Sequence, residues 1–197
     1  MCKRFCLIFS CLFLFLVFSC ISFPQKQNEI IQSYPSIYID AKGIKTSQQL
    51  FNFFISKNPN ANYEKVMRLA EYYVSECKIE GINSDVAFVQ MCLETGFLRF
   101  GGLVTESMNN FCGLGSIDKN KPGNKFETEL LGVRAHVQHL HAYGTTRQLK
   151  QKLVDPRYKY VNPRGKAPTI QELAGTWAAD KEYGAKLQSL LLQLSVF

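Results

Sequence analysis

A glutamic acid ends a nearly unbroken apolar segment of this chain. Residues 86–93 read Val-Ala-Phe-Val-Gln-Met-Cys-Leu, and Glu94 follows directly. Burial among apolar side chains disfavours the ionised carboxylate, so the pKa of Glu94 is expected to rise. A carboxyl that stays partly protonated near neutral pH can act as a general acid and protonate a leaving oxygen. The alternative is that the helix ends at Glu94 and the carboxyl turns into water.

The segment that carries Glu94 is predicted to be a buried central helix. Residues 83–85, Asn-Ser-Asp, are of types that cap helix N-termini, and the following residues are apolar on nearly every side. Gln90 precedes Glu94 by one turn, so it shares the same face and is predicted to hydrogen-bond the carboxyl. Six glycines and Pro122 interrupt the pattern between residues 96 and 125, which predicts a long loop where a site can form.

Helical periodicity predicts five more helices around this one. Thr46 and Gln49 form a capping-box pattern that opens a first helix ending near Lys57, and Gly81 ends the next helix. A second capping box, at residues 169–172, opens a helix on which Trp177 is predicted to be a core residue. The remaining apolar stripes are Tyr63, Val66, Ala70, Tyr73, Val74 and Cys77; Leu130, Val133, Val137 and Leu140, ending near Gly144; and Leu187, Leu190, Leu191 and Leu194. The predicted architecture is mostly helical, with little strand.

The N-terminus has the pattern of an export signal. Lys3 and Arg4 precede an apolar run over residues 5–17 that contains no charge. A helix of about 15 residues reaches roughly 22 Å, short of the roughly 30 Å hydrocarbon core of a bilayer, which favours a signal peptide over a spanning helix. Residues 17–20, Val-Phe-Ser-Cys, resemble a bacterial lipobox, so Cys20 is the expected lipidation site. An uncleaved short anchor is the alternative.

These observations predict three parts of the chain. Residues 1–19 form the signal peptide, residues 20–45 a polar tether with at most a short strand at residues 37–39, and residues 46–197 one domain. The protein is expected to be exported and held at the membrane by a lipid anchor, facing the periplasm or the cell wall.

Three cysteines remain beyond the N-terminal segment: Cys77, Cys92 and Cys112. Their number is odd and their spacing contains no C-x-x-C pair, which favours buried thiols over a disulfide scaffold or a zinc site. A single bridge, either Cys77–Cys92 or Cys92–Cys112, is the alternative.

The charges of the chain exclude one class of partner. The net charge is +7, but the basic residues are spread along the sequence and form no clustered stripe, which argues against nucleic acid. A basic protein suits a polymer that carries peptide carboxylates, or an anionic membrane surface. His136 and His139 are three residues apart, but no acidic ligand stands at a matching position, so we expect no metal, no other cofactor and polar-face histidines. The expected state is a monomer.

Several motifs occur in a fixed order along the chain: Gln90–Phe97 (QMCLETGF), Asn109–Gly115 (NNFCGLG), Gly132–Tyr143, Val154–Val161, Leu173–Ala178 and Glu182–Gly184. This order resembles glycoside hydrolase family 73, bacterial N-acetylglucosaminidases of the α+β lysozyme-like superfamily, over roughly residues 46–194. The resemblance implies a mainly α domain with Glu94 as the catalytic acid and Tyr183 as the site tyrosine. It also implies that Gln90, Asn110, Phe111 and Gly113 bind the substrate in the cleft.

The second catalytic group is not identified by the resemblance. Longer members carry a further glutamate in a β-hairpin lobe, but the interval 115–125 is too short for a full lobe. Asp118, Glu127 and Glu129 are the candidates, and Glu129 also reads as a first-turn charge that complements a helix dipole. Without a second carboxylate, the N-acetyl carbonyl of the substrate can act as the internal nucleophile.

The predicted function is hydrolysis of the β-1,4 bond between N-acetylglucosamine and N-acetylmuramic acid in peptidoglycan. Two alternatives remain open: a lytic transglycosylase or muramidase acting on the same polymer, and a non-catalytic wall-binding lipoprotein.

Overall fold

The structure, a computed structural model, describes residues 34–197. The predicted signal peptide and the lipidation site Cys20 lie outside the described residues. Five α-helices form the described part: α1 (Ser47–Lys57), α2 (Tyr63–Glu80), α3 (Ser84–Glu94), α4 (Glu129–Gly144) and α5 (Tyr183–Leu194). Single 3-10 turns occur at Glu106–Met108, Tyr158–Tyr160 and Gln171–Leu173. Within residues 34–197, no helix is long and apolar enough to cross a membrane.

Local signals in the sequence begin and end the first helices. The Thr46 hydroxyl accepts from the Gln49 amide at 3.3 Å, and the Gln49 side chain accepts from the Thr46 amide at 3.0 Å, as the capping box predicts. Asn83 caps α3 by accepting from the Asp85 amide at 3.0 Å. α2 ends at Gly81, whose φ of 71° lies in the left-handed region.

α3 is the central helix, as predicted. It contacts each of the other four α-helices, and its residues Ser84–Cys92 are all buried. A helix that is apolar all round has no face to give to water, so the others pack around it. This position brings the end of α3, and with it Glu94, to the point where the long loop leaves the helical core.

The long loop between α3 and α4 contains no β-hairpin lobe. Within residues 34–197, β pairing is limited to isolated bridges, and the one inside this loop joins Asp118 to Lys121. The domain is therefore mainly α, with a lysozyme-like arrangement that lacks the second lobe, as expected from the length of the interval.

The end of the predicted tether is part of the folded unit. Ile39 is fully buried, its amide donates to the Pro168 carbonyl at 2.9 Å, and its carbonyl accepts from the Asn83 amide at 2.9 Å. The Asp85 carboxylate accepts from the Lys45 amide at 3.1 Å, which fixes the chain before α1. The short apolar stretch at residues 37–39 thus pairs with residues 168–170 instead of extending into solvent, and the packed chain begins well before residue 46.

The prediction of a helix from residue 169 through Trp177 is wrong. Thr169 and Glu172 do form the predicted cap, with the Glu172 carboxylate accepting from the Thr169 amide at 2.9 Å. Only the 3-10 turn Gln171–Leu173 follows, because Gly175 takes a φ of 76° and turns the chain back. Trp177 therefore sits on an irregular segment, which changes what its side chain can contact.

Candidate active site

Glu94 lies at the floor of an open cavity of about 340 Å³. The end of α3 forms the floor, and three segments form the walls: residues 100–104, residues 110–116 and residues 177–178. The lining residues are Glu94, Thr95, Phe100, Gly101, Gly102, Leu103, Val104, Asn110, Cys112, Gly113, Ser116, Trp177 and Ala178.

A strained turn directs the chain from α3 over this cavity. Phe97, Leu98 and Phe100 have φ values of 57°, 61° and 48°, a left-handed conformation that L-residues seldom adopt. The Thr95 hydroxyl holds the turn by donating to the Met91 carbonyl at 2.8 Å and accepting from the Leu98 amide at 2.9 Å. Such strain is stored at functional sites when the surrounding structure enforces it.

The opposite wall approaches α4 at a glycine. A Cβ on Gly132 would stand 1.8 Å from the Asn109 carbonyl oxygen, so only glycine permits this contact. Asn110 then organises the wall from inside: its Nδ2 donates to the Leu114 carbonyl at 3.0 Å and the Asn124 carbonyl at 2.9 Å. The motif around residue 110 thus builds the shape of the cavity.

Two side chains donate hydrogen bonds to the same oxygen of Glu94. The Tyr183 hydroxyl donates to Oε1 in a very short bond, and Trp177 Nε1 donates to Oε1 at 3.0 Å. Within residues 34–197, Oε2 has no hydrogen-bond partner. A proton on Glu94 therefore belongs on Oε2, because Oε1 already accepts two hydrogens.

The site raises the pKa of Glu94 above its ordinary value of 4.5. Glu94 is exposed to water on its cavity side, but the concave floor removes much of its hydration, and this desolvation is the largest cause. The hydrogen bonds from Tyr183 and Trp177 favour the carboxylate and oppose the rise. Burial and the adjacent Glu94 charge raise the pKa of Tyr183 well above 10, so its hydroxyl remains a donor.

A chain of buried hydrogen bonds supports Glu94 from behind. The Tyr183 hydroxyl accepts from Gln90 Nε2 at 3.0 Å, Gln90 Oε1 lies 3.0 Å from His136 Nε2, and His136 Nδ1 lies 2.7 Å from the Tyr73 hydroxyl. Because an amide oxygen only accepts, His136 must donate through Nε2 and accept from Tyr73 through Nδ1. Every bond then points toward Glu94.

Burial keeps this chain in one protonation state. Full burial, with a smaller contribution from His139, lowers the pKa of His136 to about 3, so its ring is neutral near neutral pH. A neutral ring has one donor and one acceptor, which is what the Gln90 oxygen and the Tyr73 hydroxyl require. The network therefore holds the Tyr183 hydroxyl in a fixed position.

Trp177 is a site residue that the sequence reasoning placed in the core. Its ring packs against His139 at 5.0 Å and Tyr143 at 5.2 Å between centroids, while its indole N–H reaches Glu94. The signal available in the sequence was Gly175, two residues earlier, which breaks the predicted helix and frees the indole to turn toward the cavity.

The structure places the other predicted cleft residues differently. Gln90 does not contact Glu94 directly but binds Tyr183, and Gln90 is fully buried, so it cannot touch substrate. Phe111 is also fully buried in the hydrophobic core, so its prediction as a cleft residue is wrong. Asn110 lines the cavity but is 1% exposed and uses its amide within the loop. Gly113 lines the cavity as predicted.

None of the three candidate second carboxylates lines the cavity. Glu129 begins α4 and pairs with Arg68 at 3.2 Å and with Lys65 at 3.6 Å. Asp118 accepts from the Lys121 amide at 3.0 Å and closes a turn, and Glu127 is exposed. Among residues 34–197, no acidic residue other than Glu94 lines this cavity.

The three cysteines of the described residues and two of the three histidines are buried. Cys77, Cys92 and Cys112 are free thiols, so neither alternative bridge forms. The prediction of polar-face histidines is wrong, because His136 and His141 are fully buried and His139 binds the Asp155 carboxylate at 2.8 Å. Within the described part of the chain, no cluster of three metal-ligating side chains occurs.

A carboxyl with a raised pKa that two donors hold in an open cavity has the features of a general acid. The chain belongs to the Glucosaminidase family, described as mannosyl-glycoprotein endo-beta-N-acetylglucosaminidase, whose model matches residues 70–195. It is thus a glycoside hydrolase that acts on peptidoglycan. An uncharacterized protein of Borreliella burgdorferi is 40% identical over 157 residues, which cover 80% of this chain and 76% of that protein. No solved structure matches the chain significantly.

Proposed function

We propose that this protein hydrolyses the β-1,4 bond between N-acetylglucosamine and N-acetylmuramic acid, with Glu94 as the general acid. The observation that carries the proposal is the asymmetry of the Glu94 carboxyl, which lines the cavity: both of its protein donors bind Oε1, and Oε2 has no hydrogen-bond partner among residues 34–197. A proton on Oε2 can pass to the leaving oxygen of a glycan in the cavity. The donors on Oε1 then stabilise the carboxylate that remains.

The raised pKa of Glu94 fits this role. A general acid must hold its proton near working pH, and desolvation in the cavity floor shifts the pKa of Glu94 in that direction. The Tyr183 and Trp177 bonds limit the rise, so that the proton can also leave. The direction of the pKa shift thus supports the acid role that the hydrogen-bond geometry of Glu94 indicates.

The nucleophile in this proposal is the N-acetyl carbonyl oxygen of the substrate. Among residues 34–197, no acidic residue other than Glu94 lines the cavity, so no second carboxylate is at hand for this role. In the first step the carbonyl oxygen bonds to the anomeric carbon, the glycosidic bond breaks, and Glu94 gives its proton to the leaving oxygen. The first step leaves an oxazolinium ring that keeps the amide N–H proton; in the second step water adds to the anomeric carbon, this ring opens to restore the N-acetyl group, and Glu94 takes a proton from the water.

The identity of the new glycan end tests the bond that is cut. Purified sacculi are digested with the protein, the products are reduced with borohydride, and the reduced sugar is identified by mass spectrometry. Reduced N-acetylglucosamine is expected. Reduced muramic acid would indicate a muramidase, anhydro-muramic acid a lytic transglycosylase, and absence of products a wall-binding protein; each of these results contradicts the proposal.

Stereochemistry tests the nucleophile. Two successive displacements at the anomeric carbon give a β-configured product, which NMR spectroscopy detects before mutarotation. An α-configured first product would show direct attack by water and would exclude substrate assistance.

The proposal includes export and anchoring through Cys20. It is supported by the apolar run, by the lipobox-like residues 17–20 and by a substrate that lies outside the cytoplasm. Metabolic labelling with an alkyne fatty acid is expected to mark the parent protein and not a Cys20→Ser variant. Equal labelling of the two, or no label on the parent, would contradict the anchor.

A further inference from the structure

A second, smaller cavity adjoins the catalytic one. It has a volume of about 170 Å³ and shares Cys112, Gly113 and Trp177 with the cavity that contains Glu94. Its other lining residues are Leu114, Gly115, His139, Tyr143 and Arg157. A ligand bound over Glu94 therefore has a neighbouring space that shares the Trp177 side chain with the catalytic cavity.

Arg157 brings a cation to this second cavity. Its backbone amide donates to Asp155 Oδ1 at 2.8 Å, which fixes the start of the turn, and its guanidinium carbon lies 5.0 Å from the centroid of the Tyr160 ring. Within residues 34–197, no carboxylate forms a salt bridge with Arg157. Its planar fork of N–H donors matches the two oxygens of a carboxylate.

His139 adds a second polar group with a fixed orientation. Its Nδ1 lies 2.8 Å from Asp155 Oδ2, and its ring packs edge-on against Trp177 and Tyr143. Because Nδ1 binds Asp155, Nε2 is the ring nitrogen left for a ligand. The Asp155 side chain itself is fully buried behind His139 and is not one of the residues that line the cavity.

The charge of the surroundings is also positive. The lining of the second cavity contains no acidic residue, and Lys166 Nζ lies 4.9 Å from the centroid of the Tyr143 ring. A cavity with an unpaired guanidinium, a fixed imidazole and a nearby ammonium favours an anion.

We propose that the second cavity is a subsite for a carboxylate of the glycan substrate, namely one on the peptide stem of the muramyl residue beside the cleaved bond. This inference rests on the proposed function, which puts peptidoglycan over Glu94. Arg157 receives the carboxylate, His139 Nε2 completes the contact, and Trp177 separates this group from the reacting centre.

Binding to an inactive protein tests the subsite without catalysis. The full chain with Glu94→Gln is titrated with three soluble tetrasaccharides: a peptidoglycan fragment with peptide stems, the same fragment stripped to its lactyl carboxylates, and an N-acetylglucosamine oligomer that has no carboxylate. The fluorescence of Trp177, the single tryptophan of the chain, reports binding because this residue lines both cavities. Each titration is repeated after adding Arg157→Gln or Lys159→Gln.

Lys159→Gln is the matched control. It removes the same charge from the same turn, and Lys159 also lies over the Tyr160 ring, at 5.2 Å, but its side chain is exposed and does not line the cavity. Thermal unfolding of each variant verifies that it is folded.

Arg157→Gln is expected to weaken binding of the stem-bearing fragment about tenfold, the scale of one lost charge-assisted pair, and to leave the carboxylate-free oligomer unchanged. An equal loss for the stripped fragment, whose lactyl carboxyl is free and no longer amide-linked, would show that Arg157 does not select a carboxylate of the peptide stem and would overturn that assignment. Equal effects on all three ligands, or an equal effect of Lys159→Gln, would overturn the subsite alone. No binding of any fragment by the Glu94→Gln parent would overturn the proposed substrate together with the subsite.

Discussion

Replacing Tyr183 by phenylalanine removes one hydroxyl that donates to Glu94 and accepts from Gln90. The hydrogen bond favours the ionised carboxylate, so its loss raises the pKa of Glu94 further. A hydrogen bond to a charged group contributes about 1.5–3 kcal/mol, and one pKa unit corresponds to about 1.4 kcal/mol. After allowance for solvent at the cavity, a rise on the order of one unit is expected.

The same variant is also expected to be less stable. Gln90 is fully buried, and without the Tyr183 hydroxyl its Nε2 has lost its acceptor. An unsatisfied buried donor costs about 1–3 kcal/mol, which lowers the melting temperature of a domain of this size by roughly 2–12 °C. This cost is independent of the ionisation of Glu94.

The assay is the pH dependence of kcat/KM on solubilised glycan strands. Activity requires protonated Glu94, so kcat/KM falls as pH rises through the Glu94 pKa; this fall is the basic limb of the pH profile. Tyr183→Phe is expected to move the basic limb to higher pH by about one pH unit. Tyr158→Phe is the matched control, because it removes a hydroxyl that binds His141 and Arg164 away from the cavity. A basic limb that stays in place, or moves to lower pH, in Tyr183→Phe would refute the reasoning.

Three further predictions follow from the same contacts. Glu94→Gln keeps an acceptor for Trp177 but removes a carboxyl whose pKa is raised in the folded state, so the variant should melt at a higher temperature than the parent at pH 7. Below about pH 4, where the carboxyl is protonated in the folded and the unfolded protein, the two melting temperatures should match. Calorimetry at both pH values tests this, and a lower melting temperature of the variant at pH 7 would contradict it. Trp177→Phe keeps an aromatic ring but loses the N–H donor, so the fall of kcat/KM on the basic side of the pH profile should also move to higher pH, by less than in Tyr183→Phe. An unchanged pH profile would show that the indole N–H does not affect the pKa of Glu94. Gly132→Ala places a Cβ 1.8 Å from the Asn109 carbonyl, so urea unfolding should show a loss of at least about 2 kcal/mol, whereas a neutral effect would show that this wall can move.

The helices follow from local sequence, which explains why they were predictable. The capping box at Thr46 and the glycine at position 81 act within one turn of the residues they cap. α3 is apolar on nearly every side, so the sequence alone predicted that this helix is buried at the centre of the domain. The helix predicted after residue 169 failed because a good cap was followed by a glycine in the left-handed region.

The site was predictable only in part. Glu94 and Tyr183 are identified by motifs, but the contacts that support them join residues distant in sequence: 93 positions between Gln90 and Tyr183, 46 between Gln90 and His136, and 63 between Tyr73 and His136. No spacing rule connects such pairs. Phe111 follows a left-handed Asn109 and is buried in the core, a tertiary contact that the motif alone does not reveal.

The most direct test of Glu94 as the general acid compares two leaving groups in Glu94→Gln. A natural glycan needs a proton on its leaving oxygen, whereas a dinitrophenyl glycoside of an N-acetylglucosamine oligomer leaves without one. The account predicts that the variant loses about 10²–10⁴-fold in kcat on the glycan and far less on the dinitrophenyl substrate. Equal losses on the two substrates, or undiminished cleavage of the glycan, would contradict it.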